Sequence, residues 1–234
     1  EGGLVPVTIS GVAKGVGMIH PDMATMLSFV LTDADAQPET LSRMLRPIVA
    51  RTWNQTSVDG DQSTNDTVLL VASGASGAAP VDEDPEALST LEQAVESVAR
   101  SLARQQAADG EGAGTLITCA VSGAVDDAAA RAAARAVVSS DLLKAAVHGA
   151  DPNWGRIAMA VGNANIAPAS SLEAAGFTPA AAAARAGQPV ELDPNALQID
   201  IEGTPVFAGL PLAYDEAALS ERMKGDADAS RRRR

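Results

Sequence analysis

Hydrophobic residues change their spacing several times along this chain, and this change limits the folds that it can adopt. They alternate with polar residues over residues 4–9 and again over 25–31, where Leu27, Phe29 and Leu31 share one face. In later segments they recur at helical spacing. Strands interspersed with helices predict an α/β protein in which a mixed β-sheet packs against helices.

Proline, glycine and acidic cap residues indicate where the later helices begin and end. Pro38 opens a helix that Pro47 is expected to kink, and Asp84 caps a second helix that Gly110 ends. Further helices are predicted over 126–138 and 141–147, and strands over 67–72, 116–121, 157–161 and 197–201. The segment 167–188, rich in Ala, Ser and Pro, gives no prediction.

Acidity and a single cysteine exclude several classes of protein. A formal net charge of -13 repels phosphate backbones, so no nucleic-acid partner is expected. No uncharged apolar stretch reaches the roughly 18 residues that cross a membrane, and Cys119 has no second cysteine to pair with. We therefore expect a cytoplasmic protein with no membrane partner.

We interpret the Arg-rich run 231–234 as a tail rather than as a signal that directs the protein to a polyanion.

A search for catalytic groups leaves few candidates. His20 and His148 are the only histidines, and no Gly-x-Ser-x-Gly segment supports a serine-histidine site. Cys119 lies in a predicted strand, where a thiol is more often structural than reactive. No metal site is expected: the acidic segment 59–66 begins like a calcium loop, but Leu70 stands where a bidentate Glu is needed. The segment is either a polar turn or a hydrogen-bonded loop that braces a site.

Thr25 is the remaining candidate nucleophile, because it opens a β-like run directly after the small residue Ala24. A threonine hydroxyl needs a nearby base, and its own α-amino group can serve once the preceding peptide bond is cut. A free α-amine has a pKa of roughly 7.7 to 8.0 and accepts a proton near neutral pH without a histidine. Composition alone still favours the simpler interpretation of a β-branched residue that starts an ordinary strand.

Four segments together carry a more specific signal. They are KGVGMIHPDMATML at 14–27, VDGDQSTNDT at 58–67, DGEGA at 109–113 and HGADPNWGR at 148–156. In sequence and in order they closely resemble segments of the ornithine acetyltransferases, the ArgJ-like family of bifunctional glutamate N-acetyltransferases. The resemblance covers most of the chain. It favours the interpretation of Thr25 as a nucleophile over that of an ordinary strand residue.

The resemblance implies a self-cleaving acetyltransferase of cyclic arginine biosynthesis, with the fold of this family and of the similar DmpA-like aminopeptidases. In the family a precursor cuts itself between Ala and Thr, here Ala24 and Thr25, into α and β chains that stay together as two α and two β chains. The new N-terminal Thr25 then takes the acetyl group of N-acetyl-ornithine, releases ornithine and passes the acetyl group to glutamate. No cofactor is implied, and the resemblance leaves open whether acetyl-coenzyme A is a second acetyl donor.

The same resemblance assigns roles to further residues. Lys14 matches a substrate-binding lysine, whose ammonium suits a carboxylate, and Glu111 matches a substrate-binding glutamate, whose carboxylate suits the amino end of ornithine. Asp151, Asn153 and Arg156 are expected to brace the fold rather than to touch substrate.

The pattern also departs from the family in places. His20 stands where the family often has Glu, and Gly114 and Thr115 stand where a lysine is common. The family's oxyanion-stabilising Thr-Gly pair belongs to α-chain sequence that precedes these residues, and the Arg-rich tail replaces a segment with substrate-contacting Asn and Ser or Thr. We therefore expect a fragment that is incomplete as an enzyme.

Three regions and two alternative functions complete the sequence-based expectations. Residues 1–24 form the end of the α chain, 25–165 the β-chain core with the nucleophile, and 166–234 a partial C-terminal lobe with the tail. One alternative is an aminopeptidase or amidohydrolase of related fold that also uses an N-terminal nucleophile. The other is an inactive remnant that only associates with partners.

Overall fold

The structure, a computed structural model, describes residues 5–21 and 25–231, with side chains through residue 225. It contains two compact units. Unit 1 comprises Glu1–Glu111 and Ser170–Thr178, and unit 2 comprises Gly112–Ala169 and Pro179–Arg234. These boundaries reflect packing, whereas the boundaries predicted at residues 24 and 165 follow the cleavage site and the family pattern and stay predictions.

Unit 1 is built on a three-stranded sheet of order β1-β2-β3. The strands are β1 (Ile9–Lys14), β2 (Leu27–Thr32) and β3 (Thr67–Ala72). The central strand β2 runs antiparallel to β1 and parallel to β3, which confirms the predicted mixed sheet.

Two helices cover this sheet, α1 (Pro38–Arg51) and α2 (Pro85–Ala108). Both begin as predicted: Pro38 is the first residue of α1, and the Asp84 carboxylate caps α2 by accepting from two backbone N–H groups. Short 3₁₀ turns, Trp53–Gln55 and Val81–Glu83, follow α1 and precede α2. The α1 helix continues through Pro47.

The first strand prediction was wrong, because β1 begins where the predicted run 4–9 ends. Gly11, which the sequence places in a glycine-rich turn, is a strand residue lying under α2. A Cβ at Gly11 would lie 2.7 Å from Leu102 Cδ1 and 2.9 Å from Val98 Cγ1. The close packing of the helix therefore favours glycine here, and a glycine inside a strand interrupts the alternation of side chains from which a strand is predicted.

The two faces of β2 differ in burial. Ser28, Val30 and Thr32 face the core under the helices, whereas Leu27, Phe29 and Leu31 share the opposite face as predicted. That opposite face leaves several apolar side chains exposed: Val12, Leu31, Leu69 and Val71.

Unit 2 combines helices with a two-stranded hairpin. Its helices are α3 (Asp127–Ser139), α4 (Asp141–His148), α5 (Trp154–Gly162), α7 (Pro179–Arg185) and α8 (Glu216–Arg231), and its strands are β4 (Gln198–Ile201) and β5 (Thr204–Ala208). A short helix α6 (Ala169–Ala174) precedes α7 along the chain. The predictions for α3, α4 and β4 are confirmed.

Two strand predictions in unit 2 were wrong. Residues 157–161 lie in α5, because the Asn153 side chain accepts from the N–H of Arg156 and starts a helix there. Residues 116–121 form no strand in the structure, and Cys119 and Val121 pack beside a small helical core. Short apolar runs fit strands and buried helices equally well, so length and caps decide.

Within the described residues, no helix has both the length and the apolar character needed to cross a membrane.

Candidate functional site

The pairing of β1 with β2 brings together the two ends of the segment that carries Thr25. Lys14, the last residue of β1, pairs with Leu27, the first residue of β2. The connecting loop, residues 15–26, therefore leaves and rejoins the sheet at the same edge, with Thr25 two positions before β2. Gly15 has a φ of 112°, and a Cβ there would lie 3.1 Å from Met26 Cα. Glycine permits this close approach of the two ends of the loop.

Asp66 holds the returning end of the loop from the adjacent strand. Its Oδ1 accepts a hydrogen bond from the backbone N–H of Met26. The N–H of Thr67 donates to the Met26 carbonyl at 2.7 Å, so both backbone polar groups of Met26 are hydrogen-bonded. The position of Thr25 therefore depends on the start of β3.

Two buried polar atoms at this point have no hydrogen-bond partner among the described residues: Thr25 Oγ1 and Asp66 Oδ2. Buried polar atoms are seldom left unpaired, and a catalytic role is one of the reasons for which an unpaired one is kept. Burial raises the pKa of the Asp66 carboxyl, although the hydrogen bond from Met26 opposes this rise. The site thus combines a buried hydroxyl with a carboxylate that keeps one oxygen uncommitted.

Asp59 fixes the other part of the connecting loop. Its two carboxylate oxygens accept from the backbone N–H groups of Met18, at 2.6 Å, and Ile19, at 3.0 Å. The N–H of Val58 donates to the Ile19 carbonyl at 2.7 Å. The acidic segment 59–66 is therefore the hydrogen-bonded bracing loop, the second of the two interpretations left open by the sequence.

Gln106 links the loop to the core of unit 1. It is 7% exposed, and its Oε1 accepts from the indole N–H of Trp53 at 2.8 Å. Its Nε2 donates to the carbonyls of Lys14 at 3.1 Å and Gly15 at 3.3 Å. One buried amide thus fixes the point where β1 ends and the loop begins.

Glu111 lies against the middle of the loop. Its N–H donates to the Val16 carbonyl at 2.8 Å. A Cβ added to Gly17 would lie 2.7 Å from Glu111 Oε2, so the carboxylate rests directly over the Gly17 backbone. Glu111 and Lys14 are both exposed, which leaves their charges accessible to a ligand.

Three of the four sequence segments thus meet around one loop. The structure brings Lys14, Thr25 and Glu111 to this loop within unit 1, while Ala24 lies outside the described residues. Sequence reasoning missed Gln106, because a glutamine inside a helical repeat gives no signal of burial. Asp66 lies within one of the four sequence segments, but the sequence alone indicates no role for it.

The fourth segment forms a turn between α4 and α5 in unit 2. Asn153 Nδ2 donates to Asp151 Oδ2 at 3.1 Å, and Asn153 Oδ1 caps α5. Arg156 donates to the Leu142 carbonyl at 2.6 Å. These contacts are of the bracing kind that the sequence analysis expected.

His20 and Cys119 are the other reactive side chains considered from the sequence. His20 Nδ1 lies 3.0 Å from Ser57 Oγ, on the loop itself. Burial raises the pKa of the Cys119 thiol, which disfavours the reactive thiolate. Among the residues with described side chains, no three His, Cys, Asp or Glu residues are grouped as metal ligands.

The fold and the site together define an α/β protein with a half-buried threonine, whose hydroxyl is buried, two residues before the central strand of a mixed sheet. The crystal structure of arginine biosynthesis bifunctional protein ArgJ from Bacillus halodurans has this fold. It matches with a TM-score of 0.72 and 34% sequence identity over 86% of this chain and 83% of that chain. The ArgJ family model matches residues 3–229, and the chain belongs to the ArgJ family.

Curated relatives agree with this assignment. The arginine biosynthesis bifunctional protein ArgJ of Deinococcus radiodurans is 48% identical over 93% of this chain and 48% of its own length. A chloroplastic ArgJ of Oryza sativa subsp. japonica is 40% identical over 97% of this chain and 44% of its own length. The chain therefore spans about half the length of the curated relatives that it matches.

Proposed function

We propose that this chain supplies the nucleophile of a glutamate N-acetyltransferase of arginine biosynthesis, with Thr25 as the residue that carries the acetyl group. The observation that carries the proposal is the Thr25 hydroxyl, which is buried and unpaired among the described residues at the start of the central strand. A threonine that only filled a strand position would normally pair its buried hydroxyl. The family assignment supplies the reaction class.

Cleavage between Ala24 and Thr25 provides the base. The Thr25 Oγ attacks the Ala24 carbonyl carbon, the acyl group moves from nitrogen to oxygen, and water hydrolyses the ester. Thr25 then has a free α-amine two bonds from Cβ, the carbon that bears its hydroxyl, so nucleophile and base belong to one residue. The same hydroxyl next attacks the acetyl group of N-acetyl-ornithine, releases ornithine, and transfers the acetyl group to glutamate.

A difference in coverage supports a two-chain mature enzyme. The chain in the Bacillus halodurans crystal structure is covered over 83% of its length, whereas full-length curated relatives are covered over about half of theirs. The crystallised chain is thus shorter than the curated relatives, as expected if the precursor of that relative is divided at the position that matches Thr25. We propose the same division here, and assembly of two α and two β chains.

Lys14 and Glu111 are proposed to bind substrate. Both are exposed, and both belong to the backbone that positions the connecting loop. The Lys14 ammonium would bind a substrate carboxylate, and the Glu111 carboxylate would bind the amino end of ornithine. Cytoplasmic location, and use of acetyl-coenzyme A as a further donor, stay predictions.

An acetyl-transfer assay on the full-length protein tests the proposal. With N-acetyl-ornithine and glutamate, we expect N-acetyl-glutamate as product and an acetylated fragment that begins at Thr25 when glutamate is omitted. Thr25→Ala should lose both, and Thr90→Ala, an exposed threonine on α2, should retain both. Release of acetate without N-acetyl-glutamate would instead identify a hydrolase.

A further inference from the structure

Self-cleavage and acetyl transfer need different bases, and the mechanism above names only the second. In the uncut chain the Thr25 nitrogen belongs to an amide, whose lone pair is delocalised and does not accept a proton at neutral pH. The α-amine exists only after cleavage. Some other group must therefore take the hydroxyl proton in the first reaction.

Among the described carboxylates around the loop, Asp66 is the one with a buried oxygen that has no hydrogen-bond partner. Both oxygens of Asp59 accept backbone N–H groups, and the Glu111 carboxylate rests on Gly17. Lys14 is a cation, and His20 Nδ1 faces Ser57. Asp66 differs because its Oδ2 is buried and has no partner among the described residues.

Asp66 is also attached to the residue that follows the nucleophile. Its Oδ1 accepts the Met26 N–H, and this amide is joined directly to the Thr25 carbonyl carbon. The Thr67–Met26 hydrogen bond extends the parallel pairing of Leu27 with Thr67 by one residue, so Asp66 lies beside Met26, one residue from Thr25, just before the two paired strands begin. The Oδ2 atom and the Thr25 hydroxyl are both buried and have no partner among the described residues.

We propose that Asp66 Oδ2 is the proton acceptor of the self-cleavage step. The inference rests on the proposed function, since it assigns a base to the cleavage that creates the nucleophile. Thr25 Oγ transfers its proton to Asp66 as the bond from Oγ to the Ala24 carbonyl carbon forms. Asp66 then gives the proton to the Thr25 nitrogen as the Ala24–Thr25 amide bond breaks, and water hydrolyses the resulting ester.

After cleavage Asp66 is no longer needed as a base, because the Thr25 amine takes over that role. The carboxylate still holds Met26 through Oδ1. The proposal therefore separates two activities of one site: Asp66 is required for maturation and dispensable for acetyl transfer.

The test uses Asp66→Asn in the full-length protein. Asparagine keeps an oxygen that accepts the Met26 N–H but cannot accept the hydroxyl proton. We expect cleavage, followed by intact mass, to slow by about 10² to 10⁴, the usual contribution of a positioned general base. Asp61→Asn removes the same charge from an exposed residue of the same loop and should cleave at the wild-type rate.

A second arm distinguishes a chemical role from a structural one. The two chains are produced separately and assembled, with the second chain released from a fusion partner so that it begins at Thr25. In this precut assembly, Asp66→Asn should transfer acetyl at nearly the wild-type rate. Asp66→Glu, which keeps the carboxylate, should cleave faster than Asp66→Asn in the uncut protein. If the Asn variant does not fold, Asp66→Glu is compared with wild type and should still cleave.

The outcomes separate this inference from the function on which it rests. If wild type cleaves and Asp66→Asn cleaves as fast, Asp66 is not the base although the acetyltransferase stands. Equal loss of cleavage and of precut transfer would make Asp66 purely structural. If wild type itself stays uncut, the inference and the proposed self-cleavage both fall.

Discussion

Replacing Gln106 with Met should loosen the start of the connecting loop and destabilise unit 1. The substitution keeps the length of the side chain but removes its amide. The Trp53 indole N–H, in a side chain that is 1% exposed, would lose its acceptor, and a buried unpaired donor costs about 1 to 3 kcal/mol. The carbonyls of Lys14 and Gly15 would each lose a donor, about 0.5 to 1.5 kcal/mol apiece where water does not replace it.

We therefore expect Gln106→Met to lower the free energy of unfolding by about 2 to 4 kcal/mol. Urea denaturation monitored by tryptophan fluorescence measures the change. Gln105→Met is the matched control, since Gln105 is exposed on the same helix, and its effect should stay within about 0.5 kcal/mol. Equal midpoints for the two variants would refute the argument that Gln106 joins the loop to the core.

Three further changes test separate parts of the structure. Gly15→Ala forces a side chain onto a residue with a φ of 112° and should cost about 1 to 3 kcal/mol, measured as a lower urea midpoint. Asp84→Ala removes the cap of α2 and should cost about 1 kcal/mol, whereas Asp84→Ser should restore most of it. The Asp126 carboxyl has its pKa lowered chiefly by the Ala129 N–H, so its stabilisation is complete above the unfolded-state pKa of about 3.9 and is lost as pH falls through the lower folded-state pKa. Urea midpoints of wild type and Asp126→Asn should therefore differ at pH 6 and converge at the acid end of the titration.

The elements that the sequence predicted well are those with local chemical signals. Pro38 and the Asp84–Pro85 pair mark helix starts because their geometry and caps act within one turn. The β2 and β3 strands are rich in β-branched and large apolar residues. These signals do not depend on distant parts of the chain.

One wrong prediction falls where a tertiary contact determines the strand, and another falls where a local helix cap was not recognised. The β1 strand contains Gly11 because α2 packs directly on it, and a helix 90 positions away cannot be read from the local pattern. The run 157–161 is helical because of the Asn153 cap, which the sequence analysis assigned only to a motif.

The site also has residues that the sequence indicates and residues that only the folded structure reveals. Family resemblance selected Lys14, Thr25 and Glu111, and the structure brings them to one loop. The buried bracing by Gln106 and the uncommitted oxygen of Asp66 require the folded arrangement, because each depends on partners 40 or more positions away. The resemblance indicates which residues matter, and the structure indicates how they are held.

The most direct test of the central claim is intact-mass and N-terminal analysis of the full-length protein. The account predicts two associated fragments, the second beginning at Thr25, and a single uncut chain when Thr25 is replaced by Ala. Thr25→Ser, which keeps a hydroxyl, should still cleave. A wild-type enzyme that transfers acetyl from N-acetyl-ornithine to glutamate while Ala24 and Thr25 remain joined would contradict the account.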